Sequence, residues 1–110
     1  MRLNFDPTIW GPRAWFFIET AILSYPDNPD ENTKNEFYNF LKSLSHVLPC
    51  EKCRYNYLLH FNNNFNFKYL DNKEELFNFI VKLHNKTNNA NRSEQDVLDF
   101  YIKKYNNNEY

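Results

Sequence analysis

A single glycine, Gly11, serves all 110 residues, and no other feature restricts the fold of this chain as strongly. Phosphate-cradling turns of the G-x-G-x-x-G and P-loop kinds need several glycines. The tight hairpins of antiparallel sheets use glycine where the backbone takes a positive φ. The chain therefore has few residues for hairpins, and any nucleotide it binds must be held by side chains. Helices remain as the route to a core, and the apolar spacing supports them.

Five runs carry helical periodicity. From Pro12, a residue suited to a first helical turn, Trp15, Ile18, Ile22 and Tyr25 recur at spacings of three and four until Pro26. Phe37, Phe40, Leu41, Leu44 and Leu48 share one side of a second run, between the turn-rich "PDNPDENT" and Pro49. The third run starts at Pro49 with "CEKCRYNYLLHF", and "NNNFNF" is expected to break it. In the fourth, Asp71 and Glu74 form a capping-box pattern ahead of inward-facing Leu76, Phe77, Ile80, Leu83 and His84. The fifth starts at Ser93, with Asp96 in the matching place, and carries Val97, Phe100, Tyr101, Lys104 and Tyr105. "FNFKYL" reads as loop. The predicted fold is all-α, a small up-and-down bundle of four helices with a short fifth.

Length and composition support one domain over residues 1–110: 42% of residues are hydrophobic and 19% aromatic, enough to fill a core without a staple. The net charge of −1, with Lys and Arg scattered among Asp and Glu, offers no field for nucleic acid or anionic lipid. The N-terminus lacks the apolar core of a secretory signal, and no stretch approaches the roughly 18 apolar residues of a membrane span, so the sequence predicts a soluble chain. The asparagine-rich "FNNNFNF" and "YNNNEY" read as solvated turns.

Both cysteines lie in "LPCEKC", at Cys50 and Cys53. Two intervening residues at a helix start allow a small disulfide ring, and the helix dipole with Lys52 and Arg54 favours thiolate. That is the logic of a redox pair. Two other readings stay open on these residues: packed thiols, and half of a zinc site completed by a second subunit or by His46 and His60. His84 and Asn88 stand one turn apart on the fourth helix, where an aromatic plane and an amide suit a flat polar ligand. Trp10 and Trp15 bracket the "WGPRAW" turn that holds the glycine.

Taken in order, "WGPRAW", "SYP", "LPCEKC" and "LHNKTNN" resemble the four signatures of the Erv/ALR sulfhydryl oxidases, FAD-dependent enzymes that make disulfides. The resemblance covers most of the chain, implies a domain core of about residues 10–105, and is closest in form to the short members carried by large DNA viruses. It implies a helical FAD-binding domain in which Cys53 is the flavin-proximal sulfur and Cys50 the interchange thiol. A substrate thiolate would attack Cys50, the reduced pair would pass two electrons to FAD, and dioxygen would leave as hydrogen peroxide. It also implies a cofactor site drawn from Gly11, Arg13, Trp15, Glu19, His84, Asn85 and Asn88, with Tyr105 on the fifth helix and no metal.

Glu19 stands where such proteins usually carry a histidine, which predicts an altered flavin contact there. Arg92 occupies the neighbourhood of a phosphate-facing lysine. The chain lacks the second, distal C-x-x-C of longer relatives, so its expected partner is a thiol-containing protein or a small dithiol carrier. The resemblance further implies a homodimer through the first two helices, with Phe16, Phe17 and Leu23 available for it, and a viral setting in host cytoplasm or virion. Two other readings accompany it: a flavin-free helical partner-binding module, and a zinc-bridged dimer using the C-x-x-C of two chains.

Overall fold

A computed structural model describes residues 1–106. The last residues of the expected 1–110 domain and of "YNNNEY" lie outside the described residues. The helices are α1 (Pro7–Leu23), α2 (Glu31–Val47), α3 (Glu51–Asn64), α4 (Lys73–Asn88) and α5 (Glu94–Asn106), with a 3₁₀ turn at Phe67–Asp71 before α4. Among the described residues there is no strand, and the all-α bundle with its fifth helix is the observed architecture. Among them, too, no helix is long and apolar enough to cross a membrane.

The central helix is α4, which packs against α1, α3, α5 and the 3₁₀ turn, while α2 covers α3. Its Leu76, Phe77, Phe79, Ile80, Val81 and Leu83 are all buried, so its apolar surface is wider than a single stripe. On α1 the core positions are Trp15, Ile18 and Ile22, with Glu19 buried among them. The aromatic residue of "SYP", Tyr25, is a structural tie: its hydroxyl donates to the Leu70 carbonyl in the 3₁₀ turn at 2.5 Å. Tyr57 does the same between helices, donating to the Leu41 carbonyl at 2.6 Å.

Several boundaries differ from the expectation, each for a local reason. Helix α1 starts five residues earlier than Pro12, because the Asp6 carboxylate accepts from Thr8 N at 2.9 Å and Pro7 supplies the first turn. "WGPRAW" is consequently helical and not a turn, with Pro12 inside the helix. A residue before proline normally clashes with the ring in helical conformation. Gly11 has no Cβ to clash, and Arg13 Nη1 donates to the Ile9 carbonyl at 2.8 Å in the same turn.

Helix α2 begins inside the expected turn, capped by Asp30, which accepts from Thr33 N at 2.8 Å. Helix α3 runs through the asparagines to Asn64 before the chain turns. "FNFKYL" is partly the 3₁₀ turn and not loop, since Asn66 caps it by accepting from Lys68 N at 2.9 Å. The cap of α4 is Asn72, not Asp71: its side chain accepts from Glu75 N at 3.1 Å, whereas Asp71 is drawn to Lys34 at 2.7 Å. Ser93 caps α5 as expected, accepting from Asp96 N at 3.0 Å. Tyr105 and Asn106, the start of "YNNNEY", are helical.

Candidate active site

Cys50 is the N-cap of α3, in extended backbone conformation, and its Sγ accepts from Cys53 N at 3.2 Å. The two cysteines form a disulfide across a Cα separation of 5.1 Å. Both sulfurs therefore sit at the positive end of α3, where unpaired backbone N–H groups favour a thiolate. Arg54 is engaged elsewhere, donating to the Leu48 carbonyl at 2.6 Å, which fastens the loop leading into the cysteines. Among the described residues, no three His, Cys, Asp or Glu side chains gather as a metal site.

Cys53 lies on the wall of a cleft of about 510 Å³, together with Gly11, Trp15, Ile18, Tyr57 and Asn88; Cys50 is not part of that wall. A second cleft of about 670 Å³ adjoins it, sharing Pro12, Trp15 and Asn88. Its other walls include Glu19, His84, Arg92, Phe100 and Tyr101. Trp15 faces both spaces and stacks on His84, with ring centroids 4.2 Å apart and planes within 6°. A Cβ built on Gly11 meets nothing within 4 Å, so the wall there is open.

The floor of the second cleft is electrostatic. Glu19, 2% exposed, accepts from the Tyr101 hydroxyl at 2.6 Å through Oε1, and its Oε2 lies 3.0 Å from His84 Nδ1 and 3.6 Å from Arg92 Nη2. Burial pushes the Glu19 carboxyl up, but the His84 and Tyr101 hydrogen bonds and the charges of His84 and Arg92 hold it below its ordinary value. Burial, and then Glu19 itself, push the Tyr101 hydroxyl up. Arg92 Nη2 is buried with no hydrogen-bond partner among the described residues, a donor left over for an anion.

Of the positions expected to hold a cofactor, Gly11, Trp15, Glu19, His84 and Asn88 line these clefts, and Arg13, Asn85 and Tyr105 do not. Arg13 turns to its own helix. Asn85 clasps the α4–α5 link, donating to the Arg92 carbonyl at 2.9 Å and accepting from Arg92 Nε at 3.0 Å. Tyr105 bonds Thr20 at 2.7 Å and stacks near Tyr101.

Tyr57 and Ile18 were not singled out from sequence as cleft residues, although each had a signal. Tyr57 is one turn beyond Cys53 and Ile18 one turn beyond Trp15, on the same faces. No local signal marked Tyr101 as a partner of Glu19, because the two are 82 residues apart.

The fold and site define a class: a small helical domain that presents a helix-capping disulfide beside a two-part aromatic cleft. The family model described as Erv1 / Alr family matches residues 12–107, and the chain belongs to that family. It is 39% identical over 84 residues to the "Probable FAD-linked sulfhydryl oxidase" of Acanthamoeba polyphaga mimivirus, covering 76% of this chain and 59% of that protein. It is 27% identical over 95 residues to the mitochondrial FAD-linked sulfhydryl oxidase of Saccharomyces cerevisiae, covering 86% and 49%. With the FAD-linked sulfhydryl oxidase of African swine fever virus it shares 26% over 80 residues, covering 73% and 66%. The chain thus spans about half to two-thirds of the length of these relatives.

Proposed function

We propose that this protein is an FAD-dependent thiol oxidase that forms disulfides in a partner through Cys50 and Cys53. The observation that carries the reading is the helix-capping disulfide, with Cys53 rather than Cys50 on the wall of the aromatic cleft.

The residues present fit FAD. Trp15, Tyr57 and Ile18 make an apolar slot beside Cys53, and Asn88 stands where the two clefts meet. The unspent Arg92 Nη2 suits an anionic diphosphate in the second cleft. When bound, FAD would supply the two-electron acceptor and the route by which dioxygen is reduced to hydrogen peroxide.

The chain's own residues perform the thiol chemistry. A substrate thiolate attacks Cys50 Sγ; the Cys50–Cys53 bond breaks and Cys53 leaves as a thiolate stabilised at the start of α3. A second substrate thiolate attacks the sulfur joined to Cys50 and releases Cys50. The substrate has then lost two electrons as a disulfide, and Cys50 and Cys53 hold them as a dithiol. Cys53, on the cleft wall, would be the sulfur that gives them up to the flavin.

The substrate is a thiol-containing protein or a small dithiol carrier, because the chain has no cysteines beyond this pair to act as a shuttle. The viral relatives support a setting in host cytoplasm or virion. Two copies pair through α1 and α2. Phe17, 63% exposed and edge-on to Phe40 of α2, supplies the apolar contact for that face, whereas Phe16 packs on Phe100 and Tyr101 and Leu23 on the core.

Dithiothreitol as substrate in an oxygen electrode tests the activity. Oxygen uptake with peroxide formation, lost in Cys50→Ser and in Cys53→Ser, is the expected result. Uptake by FAD-loaded protein that survives either change would sink it.

A further inference from the structure

Glu19 is the one charged side chain among the buried residues described, and a carboxylate is not left in a core without a role for its oxygens. Its partners come from three places: His84 on α4, Arg92 in the link that follows, and Tyr101 on α5. An ionised carboxylate only accepts hydrogen bonds. At 3.0 Å from Oε2, His84 Nδ1 must therefore carry a proton. Nε2 has no hydrogen-bond partner among the described residues, while the ring lies flat on Trp15 and lines the second cleft.

Resting on the reading of the site as an FAD site, we propose that Glu19 is its positioning residue: it holds His84 as the Nδ1–H form, flat on Trp15, and so reserves Nε2 for a polar atom of the cofactor. Glu19 acts through His84. Tyr101 occupies the other carboxylate oxygen, which fixes the direction of the Oε2 lone pairs toward His84. The same carboxylate offsets the charge of Arg92 without using up its Nη2 hydrogen bonds, because the separation is 3.6 Å. The result is a cleft floor whose two free polar positions, His84 Nε2 and Arg92 Nη2, are both set by one buried acid.

The test reads the ring nitrogens directly. Nitrogen-15 NMR of the full chain, with the His84 signals assigned by their loss in His84→Gln, is expected to show a proton on Nδ1. Glu19→Met, similar in length but without an acceptor, is expected to lose that preference and to weaken FAD binding by about tenfold to a hundredfold. Glu19→Gln keeps an oxygen for Nδ1–H and is expected to restore the ring state and part of the affinity. Tyr101→Phe is expected to keep Nδ1 protonated while lowering stability, which separates positioning from packing.

An unprotonated Nδ1 in FAD-binding wild-type protein overturns the proposal even if Glu19→Met does not fold. So does wild-type FAD affinity in Glu19→Met. A wild-type chain that binds no FAD instead overturns the reading of the site, a different result from either.

Discussion

At the scale of the residue, the Glu19 cluster governs how the chain responds to acid. Its carboxyl titrates below the ordinary value of 4.5 in the folded protein, so the unfolded chain binds the proton more readily. The stability this contributes is fully present above about pH 4.5 and is lost as pH falls through the folded value. The groups facing Glu19 are His84, Arg92 and Tyr101. The urea midpoint of wild type is therefore expected to fall toward that of Glu19→Gln as pH drops below about 4.5, with the two well separated at neutral pH. A constant separation across the titration would contradict the assignment. A second residue-scale expectation concerns Tyr57→Phe, which removes the bond to the Leu41 carbonyl and should cost about 1 kcal/mol at unchanged m value. From sequence alone Glu19 read as an altered flavin contact, since its partners lie 65 to 82 residues away and no spacing rule reaches that far. The cysteines, by contrast, were legible with their helix-start position, because every atom that defines it lies within a few residues.

At the scale of the element, the chain's shortage of glycine shows at the end of α4. Asn89 takes the left-handed cap conformation, with φ 53° and ψ 42°, where glycine is the usual choice. Asn89→Gly is expected to be neutral or stabilising by up to about 1 kcal/mol. Asn89→Val is expected to destabilise by about 1–2 kcal/mol, read from the denaturant midpoint. Equal stability of the two variants would show that this cap does not hold the link to α5. Periodicity located all five helices because their apolar faces repeat over three or more turns. It misplaced their ends where a cap competes with its neighbour. Asp71 and Asn72 both qualify as caps by type, and only the position of Lys34, brought in by α2, draws Asp71 away. Pro12 looked like a start because proline favours a first turn, yet Asp6 and Pro7 supply an earlier one. The 3₁₀ turn was invisible because five residues are too few to show a period.

At the scale of the whole molecule, the clefts are built from α1, α3, α4 and the start of α5, so the bundle's packing and its site are one structure. Leu83, fully buried on α4, should cost about 2–5 kcal/mol as Leu83→Ala. Ligand that binds only the folded state should recover about 2.7 kcal/mol at a hundred times its dissociation constant, seen as a rise in melting temperature on adding FAD. Sedimentation should give twice the 13.5 kDa chain mass for wild type, and the single-chain mass for Phe17→Glu. The most direct measurement is a visible absorption spectrum of the purified chain after incubation with FAD, followed as dithiothreitol is added without oxygen and then as air is admitted. The expected result is a bound flavin band that bleaches promptly and returns with air, and that bleaches far more slowly in Cys53→Ser. A chain that retains no flavin, or a Cys53→Ser protein that bleaches as fast as wild type, would contradict the central claim.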